Sequence, residues 1–130
     1  MELVSAIITT HNRSPETVLR AVNSVLSQTY EKIELIVVDD STSDYSQRQD
    51  VENSVREASD RVLYIKHPTS RGANAARNTG LAHAKGYYVA FLDDDDEWSL
   101  NKIEEQLKCF TDNSFALVYC GMVIIDDKKK

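Results

Sequence analysis

The chain is short of several things, and each shortage excludes a class of function. Cysteine occurs twice in 130 residues, at Cys109 and Cys120, with neither metal-ligand spacing nor the density of a disulfide scaffold. Both lie in apolar contexts, so each is expected to be a small buried residue of a protein in a reducing compartment. Basic residues are outnumbered: 15 Lys and Arg against 21 Asp and Glu leave a formal charge of −6, which argues against a nucleic-acid binder with its basic face. The one basic cluster, Lys128-Lys129-Lys130, reads as a solubilising end. No apolar run approaches the roughly 20 residues of a spanning helix. The N-terminus lacks a basic segment followed by a long apolar run, so no signal peptide is expected. Repeats, low-complexity segments and linkers are also missing. What is left is one domain, long enough for a single packed core.

Strand-like and helix-like segments alternate along the chain. Leu3 to Thr9 is apolar and β-branched, the mark of a buried strand. Ser14-Pro15-Glu16 opens a helix, with Ser14 as N-cap, and Val18, Val22, Val25 and Leu26 recur at helical spacing to about Gln28. A second strand covers Glu34 to Val38, a helix roughly Gln49 to Ala58, and a third strand Val62 to Lys66. The alanine-rich stretch Ala73 to Ala84 predicts a helix able to lie close to a sheet, ended by Lys85-Gly86. A fourth strand, Tyr87 to Leu92, precedes a helix from Leu100 to Phe110 capped by Ser99, with Ile103 and Leu107 inward. Phe115 to Ile125 is a last apolar run. This alternation implies an α/β fold with a mainly parallel sheet and helices on both faces.

The acidic run Asp93 to Asp96 follows the fourth strand directly. Neighbouring carboxylates about 4 Å apart repel by roughly 4 kcal/mol at an effective dielectric of 20, so such a cluster calls for a cation. Alternation along an extended segment would send Asp93 and Asp95 one way and Asp94 and Asp96 the other. One pair could then hold a hard divalent ion through oxygen. Polar residues also end the first strand (Thr9-Thr10-His11-Asn12-Arg13) and the second (Asp39-Asp40-Ser41), where ligands of open parallel sheets bind. Arg71 and Gly72 stand ahead of a helix N-terminus, a place that favours an anion. Together these groups describe a nucleotide-diphosphate pocket. Taken singly, Asp39 and Asp40 also suit an Asx turn, Arg71 a solvated loop, Arg77 a helix ion pair, and Trp98 a loop anchor. His67 and His83 read as surface residues.

Five segments in this order carry a resemblance: Val4 to Arg13, Ser27-Gln28-Thr29-Tyr30, Glu34 to Ser41, Ala76-Arg77-Asn78-Thr79-Gly80, and Phe91 to Asp96. The series resembles the nucleotide-binding half of family 2 glycosyltransferases, across nearly the whole chain. The resemblance implies a Rossmann-like GT-A fold over residues 1–130, truncated after the acidic region, in one nucleotide-binding domain. It implies a UDP-sugar donor, held by Thr9, His11, Asp39, Asp40, Arg71 and Asp94, with Asp40 the best match for the residue that contacts the base. Asp93-Asp94-Asp95 would fill the acidic motif called DXD, with Mn²⁺ or Mg²⁺ on Asp93 and Asp95, and Asp95 foremost.

Two departures stand out. Thr9 and His11 replace the family's common proline and tyrosine, and can still line a base pocket. The family usually continues for another hundred residues or more, which supply the acceptor site and the catalytic base; no catalytic residue is identified here. The chain therefore reads as a truncated enzyme, an excised fragment or a donor-binding subunit, with a hydroxyl acceptor and an inverting course in the complete enzyme. Its expected place is the cytoplasm, on the cytoplasmic side of a membrane for a longer protein. An uncovered apolar strand at Phe115 to Ile125 would favour a homodimer. A non-catalytic nucleotide-sugar-binding module is the alternative. A receiver-like signalling domain fits less well, because the third strand ends in Lys66-His67-Pro68 where receivers need a phosphorylatable aspartate.

Overall fold

The computed structural model describes residues 1–110 and 117–124. Four strands, β1 (Val4–Thr10), β2 (Ile33–Asp39), β3 (Leu63–Lys66) and β4 (Tyr88–Asp93), pair in parallel in the order β3-β2-β1-β4. Between them run α1 (Pro15–Leu26), α2 (Arg48–Ala58) and α3 (Ala73–His83), and α4 (Lys102–Leu107) follows β4. Alternation on β1 and β2 divides the core. Ala6, Ile8, Leu35 and Val37 meet Val18, Val22 and Val25 of α1 and Val51 and Val55 of α2 on one face. A fully buried valine such as Val18 or Val22 is worth about 1.5–3 kcal/mol. Ile7, Ile36 and Val38 point the other way, onto Ala76 of α3. That helix lies close because its inner residues are small: a Cβ on Gly80 would stand 2.5 Å from Ile7 Cγ2.

Ser14 caps α1 as expected, its hydroxyl accepting from the Thr17 amide at 3.3 Å. The expected Ser99 cap does not form, and α4 is shorter than Leu100 to Phe110. Ser99 lends its carbonyl instead, to Gln28 Nε2 at 2.6 Å and to the Lys102 amide at 3.1 Å. The helix N-terminus is met from across the fold, with Gln28 Oε1 accepting from the Ile103 amide at 3.1 Å. Trp98 is buried beside Ile103 and anchors the loop between β4 and α4.

Two further expectations are corrected. Cys109 and Cys120 are exposed rather than buried. Cys109 lies past the last turn of α4, beyond the face that packs, and Cys120 lies in Leu117–Ile124, which forms neither strand nor helix. That apolar segment is largely exposed (Leu117 79%, Tyr119 88%) and pairs with none of the four strands, although β4 stands at the edge of the sheet. Phe115, Ala116 and Ile125, the ends of the expected strand, lie outside the described residues.

The register places the site. Thr10 pairs with Asp39 and Thr9 with Asp93, so the polar endings of β2, β1 and β4 stand side by side along one rim of the sheet.

Candidate nucleotide-diphosphate site

A cavity of about 490 Å³ opens at that rim, between the ends of β1 and β4 and the start of α3. Thr9, Thr10, His11, Arg13, Asp40, Ser70, Gly72, Ala73, Ala76, Arg77 and Asp93 to Asp95 line it. The Thr10 hydroxyl is buried there without a hydrogen-bond partner among the described residues. The chain bends sharply after β1: Asn12 takes a left-handed conformation (φ 48°), and its side-chain oxygen accepts from the Thr42 amide at 3.1 Å. This bend carries Arg13 back over the acidic turn.

The four aspartates split three to one. Asp94 is buried and accepts from the His11 amide at 3.2 Å and Arg13 Nε at 3.1 Å. Asp93, Asp95 and Asp96 are exposed, with one carboxylate oxygen from each lying within 4.8 Å of the others. Strict alternation fails for Asp96 because β4 stops at Asp93. A turn closed by the Asp96 amide on the Asp93 carbonyl (3.1 Å) then swings Asp96 to the side of Asp93 and Asp95. Partial burial first, then repulsion from Asp95, Asp93 and Asp94, pushes the Asp96 carboxyl above its ordinary value. Arg13 reaches Asp95 at 3.2 Å and Arg77 reaches Asp93 at 3.5 Å, so two guanidinium groups offset part of the charge. Three converging carboxylate oxygens on an exposed turn fit a hard divalent cation with room for further oxygen ligands.

The two aspartates after β2 part company. Asp39 is fully buried away from the cavity, accepting from Tyr64 Oη at 2.8 Å, the Ser41 amide at 2.9 Å and Arg48 Nε at 3.4 Å. Burial, and then the Asp39 charge, raise the Tyr64 phenol far above its usual value, so Tyr64 acts as donor. Asp40 lies on the cavity wall with its carboxylate already filled. Oδ1 accepts from the Arg71 amide (2.7 Å) and His67 Nδ1 (2.8 Å), and Oδ2 from the Gly72 amide (2.9 Å) and the Ser70 hydroxyl (3.1 Å). Burial pushes the Asp40 carboxyl up, but the hydrogen bonds from His67, Arg71, Gly72 and Ser70 together hold it below its ordinary value. Gly72, at φ 98°, supplies the left-handed backbone that turns this loop into α3.

Of the residues expected at the site, Thr9, His11, Asp40, Asp93, Asp94 and Asp95 come together around the cavity. Asp39 stands behind it, and the exposed Arg71 brings its amide to Asp40 while standing outside the lining. His83 is exposed as expected, but His67 is buried, a correction to its reading as a surface residue. Its ring bridges Asp40 and Thr79, which closes it off from water. Arg13 and Asp96, grouped in the sequence with the polar strand endings, find partners in the acidic turn, and Ser70 joins the lining with no role expected of it. The available signal for His67 was its place just after a parallel strand, the position shared by the other rim residues.

The profile of glycosyl transferase family 2 matches residues 5–130. The chain is 45% identical over 127 residues to the Escherichia coli enzyme named UDP-Glc:alpha-D-GlcNAc-diphosphoundecaprenol beta-1,3-glucosyltransferase WfaP, covering 98% of this chain and 49% of WfaP. It is 37% identical over 125 residues to WfgD of the same organism and the same named activity, covering 96% of this chain and 47% of WfgD. The chain thus spans about half the length of these curated relatives. Among solved structures, Staphylococcus aureus TarS 1–349 in complex with UDP superposes with a TM-score of 0.68 at 26% identity, over 85% of this chain and 32% of that one. The mannosyltransferase PcManGT from Pyrobaculum calidifontis, in complex with GDP-Man and Mn²⁺, shares the fold with a TM-score of 0.74 at 24% identity, over 85% of this chain and 33% of its own. The α/β sheet with flanking helices is the GT-A fold.

Proposed function

The chain belongs to glycosyl transferase family 2, and from that premise we propose that it is the donor-binding part of an enzyme that transfers a sugar from UDP to a hydroxyl acceptor. The observation that carries this reading is the meeting of the Asp93, Asp95 and Asp96 carboxylates with a cavity of nucleotide size on one rim. Uridine is favoured by the UDP-Glc in the names of WfaP and WfgD and by the UDP bound to TarS.

In this reading Thr9 and His11 face the base, while Asp40 shapes that end by holding Ser70 to Gly72. Asp93 and Asp95, with Asp96, would hold Mn²⁺ or Mg²⁺, which when bound would act as a Lewis acid on the departing diphosphate. Asp94 holds the acidic turn against Arg13 and the His11 amide, within reach of a ribose. Arg13 and Arg77 line the cavity beside the acids and supply the positive charge that a diphosphate would need. The acceptor proton needs a base. We place that base outside these residues, since the relatives are about twice as long. The beta linkage in the names of both relatives fits an inverting course. The receiver-like alternative falls with the family assignment.

Thermal unfolding with UDP or GDP, each with Mn²⁺, tests the proposal. A ligand at one hundred times its Kd stabilises by about 2.7 kcal/mol. UDP is expected to raise Tm by several degrees in Mn²⁺ and GDP by much less. Equal shifts, or none with either nucleotide, would contradict the reading.

A further inference from the structure

His67 is buried, at 4% exposure, and all its polar groups are engaged. Its amide donates to the Asp39 carbonyl at 2.9 Å, and its carbonyl accepts from Arg48 Nη2 at 2.6 Å, which fixes the backbone just after β3. Its ring spans two other elements. Nδ1 lies 2.8 Å from Asp40 Oδ1, and Nε2 lies 2.8 Å from the hydroxyl of Thr79 on α3. An ionised carboxylate can only accept, so Nδ1 carries a proton and donates. The Thr79 hydroxyl has one proton, which goes either to the Ala75 carbonyl at 3.0 Å, with Nε2 donating to the hydroxyl oxygen, or to Nε2 itself; in both arrangements the far end of the ring rests on a residue of α3.

The consequence reaches the cavity, which His67 does not touch. Asp40 holds Ser70, Arg71 and Gly72 through its carboxylate and His11 through its carbonyl, 2.9 Å from His11 Nδ1. His11, Ser70 and Gly72 all line the cavity. A shift of the Asp40 side chain would move the loop before α3 and unseat the cavity wall. We infer that His67 is a positioning residue for this site: braced on Thr79, its imidazole sets Asp40, and Asp40 sets the Ser70–Gly72 turn at the base end of the cavity. That the occupant is a nucleotide rests on the reading above; the bracing itself does not.

Two substitutions separate the ends of the ring. His67→Asn keeps an amide donor near Nδ1, and His67→Gln moves it toward Nε2. Hydrogen exchange of the Arg71 and Gly72 amides, followed by NMR without nucleotide, reads the turn directly. We expect H67N to keep both amides within about threefold of wild type, and H67Q to exchange them at least tenfold faster while β1 amides stay protected. The Kd for UDP with Mn²⁺ should follow the same order. Equal exchange in the two variants, or faster exchange in H67N, would overturn the inference, since a residue that merely fills space has no reason to favour one nitrogen. Should H67Q not fold, T79V removes only the brace and is expected to speed the same two amides about threefold; no change there would equally overturn it. If wild-type protein binds no UDP, the nucleotide reading fails, and the exchange data still decide the role of His67.

Discussion

Replacing Asp40 by asparagine tests how much of the cavity wall hangs on one carboxylate. Its two oxygens accept four hydrogen bonds, from His67, Ser70 and the amides of Arg71 and Gly72. Asparagine keeps one acceptor oxygen and presents two hydrogens at the other position. With the oxygen toward His67 and Arg71, the Ser70 hydroxyl can rotate to accept, but the Gly72 N–H faces another donor. An unpaired, partly buried amide costs about 1–2 kcal/mol, and the remaining bonds lose charge assistance of about 1 kcal/mol each. Relief from burying a charge returns part of this, so the net loss is about 2–3 kcal/mol. At about 4 °C per kcal/mol for a domain of this size, Tm should fall by about 8–12 °C. The pH dependence carries the sign. The native carboxyl is held below its ordinary value of 3.8, so its stabilisation is complete above that pH and is lost as pH falls through the lower native value. Urea unfolding of wild type and D40N should therefore show the full gap from pH 7 down to about pH 5, narrowing once the pH falls below 3.8. A gap under 0.5 kcal/mol at pH 7, or one unchanged in acid, would show that the Asp40 carboxylate does not hold the Ser70–Gly72 turn.

Other perturbations follow from the same structure. Gly80→Ala places a methyl 2.5 Å from Ile7 Cγ2, inside the packed contact of α3 with the sheet, and overpacking of this kind should cost about 1–3 kcal/mol in urea unfolding. Trp98→Ala should cost about 3–5 kcal/mol and abolish a blue-shifted tryptophan fluorescence, because Trp98 is buried in the larger core cluster. Both thiols should titrate with Ellman's reagent in native protein, since Cys109 and Cys120 are exposed; slow reaction of either would place it in a contact. Self-association through the exposed apolar segment Leu117–Ile124 should appear as a concentration-dependent shift in gel filtration, and a constant monomer would remove that proposal.

Much of the fold is legible in the sequence because buried parallel strands and amphipathic helices write themselves as apolar runs and spaced valines. Strands and helices from β1 to β4 lie within a residue or two of their expected bounds, and Ser14 caps where a serine before proline should. What local pattern could not supply is long-range. The cap of α4 comes from Gln28, distant in sequence, and nothing near Ser99 announces it. His67 is buried because Asp40 and Thr79 reach it from two other elements. Asp96 joins Asp93 and Asp95 because the chain turns after the strand, where a period of two no longer holds. At the site, residue types and strand-end positions bring six of the eight expected residues to one cavity. The difference between Asp39 and Asp40 is one of pleat: adjacent carboxylates leave the strand end in opposite directions, and Tyr64 and Arg48 claim the first.

Calorimetric titration of UDP into wild-type protein and Asp95→Ala, each in Mn²⁺ and again in EDTA, decides whether the acidic turn and the cavity form one donor site. Asp95 is exposed and its partner Arg13 retains Asp94, so the variant should fold with unchanged Tm. Wild type should bind UDP in Mn²⁺, at least tenfold more tightly than it does in EDTA or than Asp95→Ala does in Mn²⁺. Binding indifferent to EDTA and to the substitution, or no binding by well-folded wild type, would contradict a single donor site.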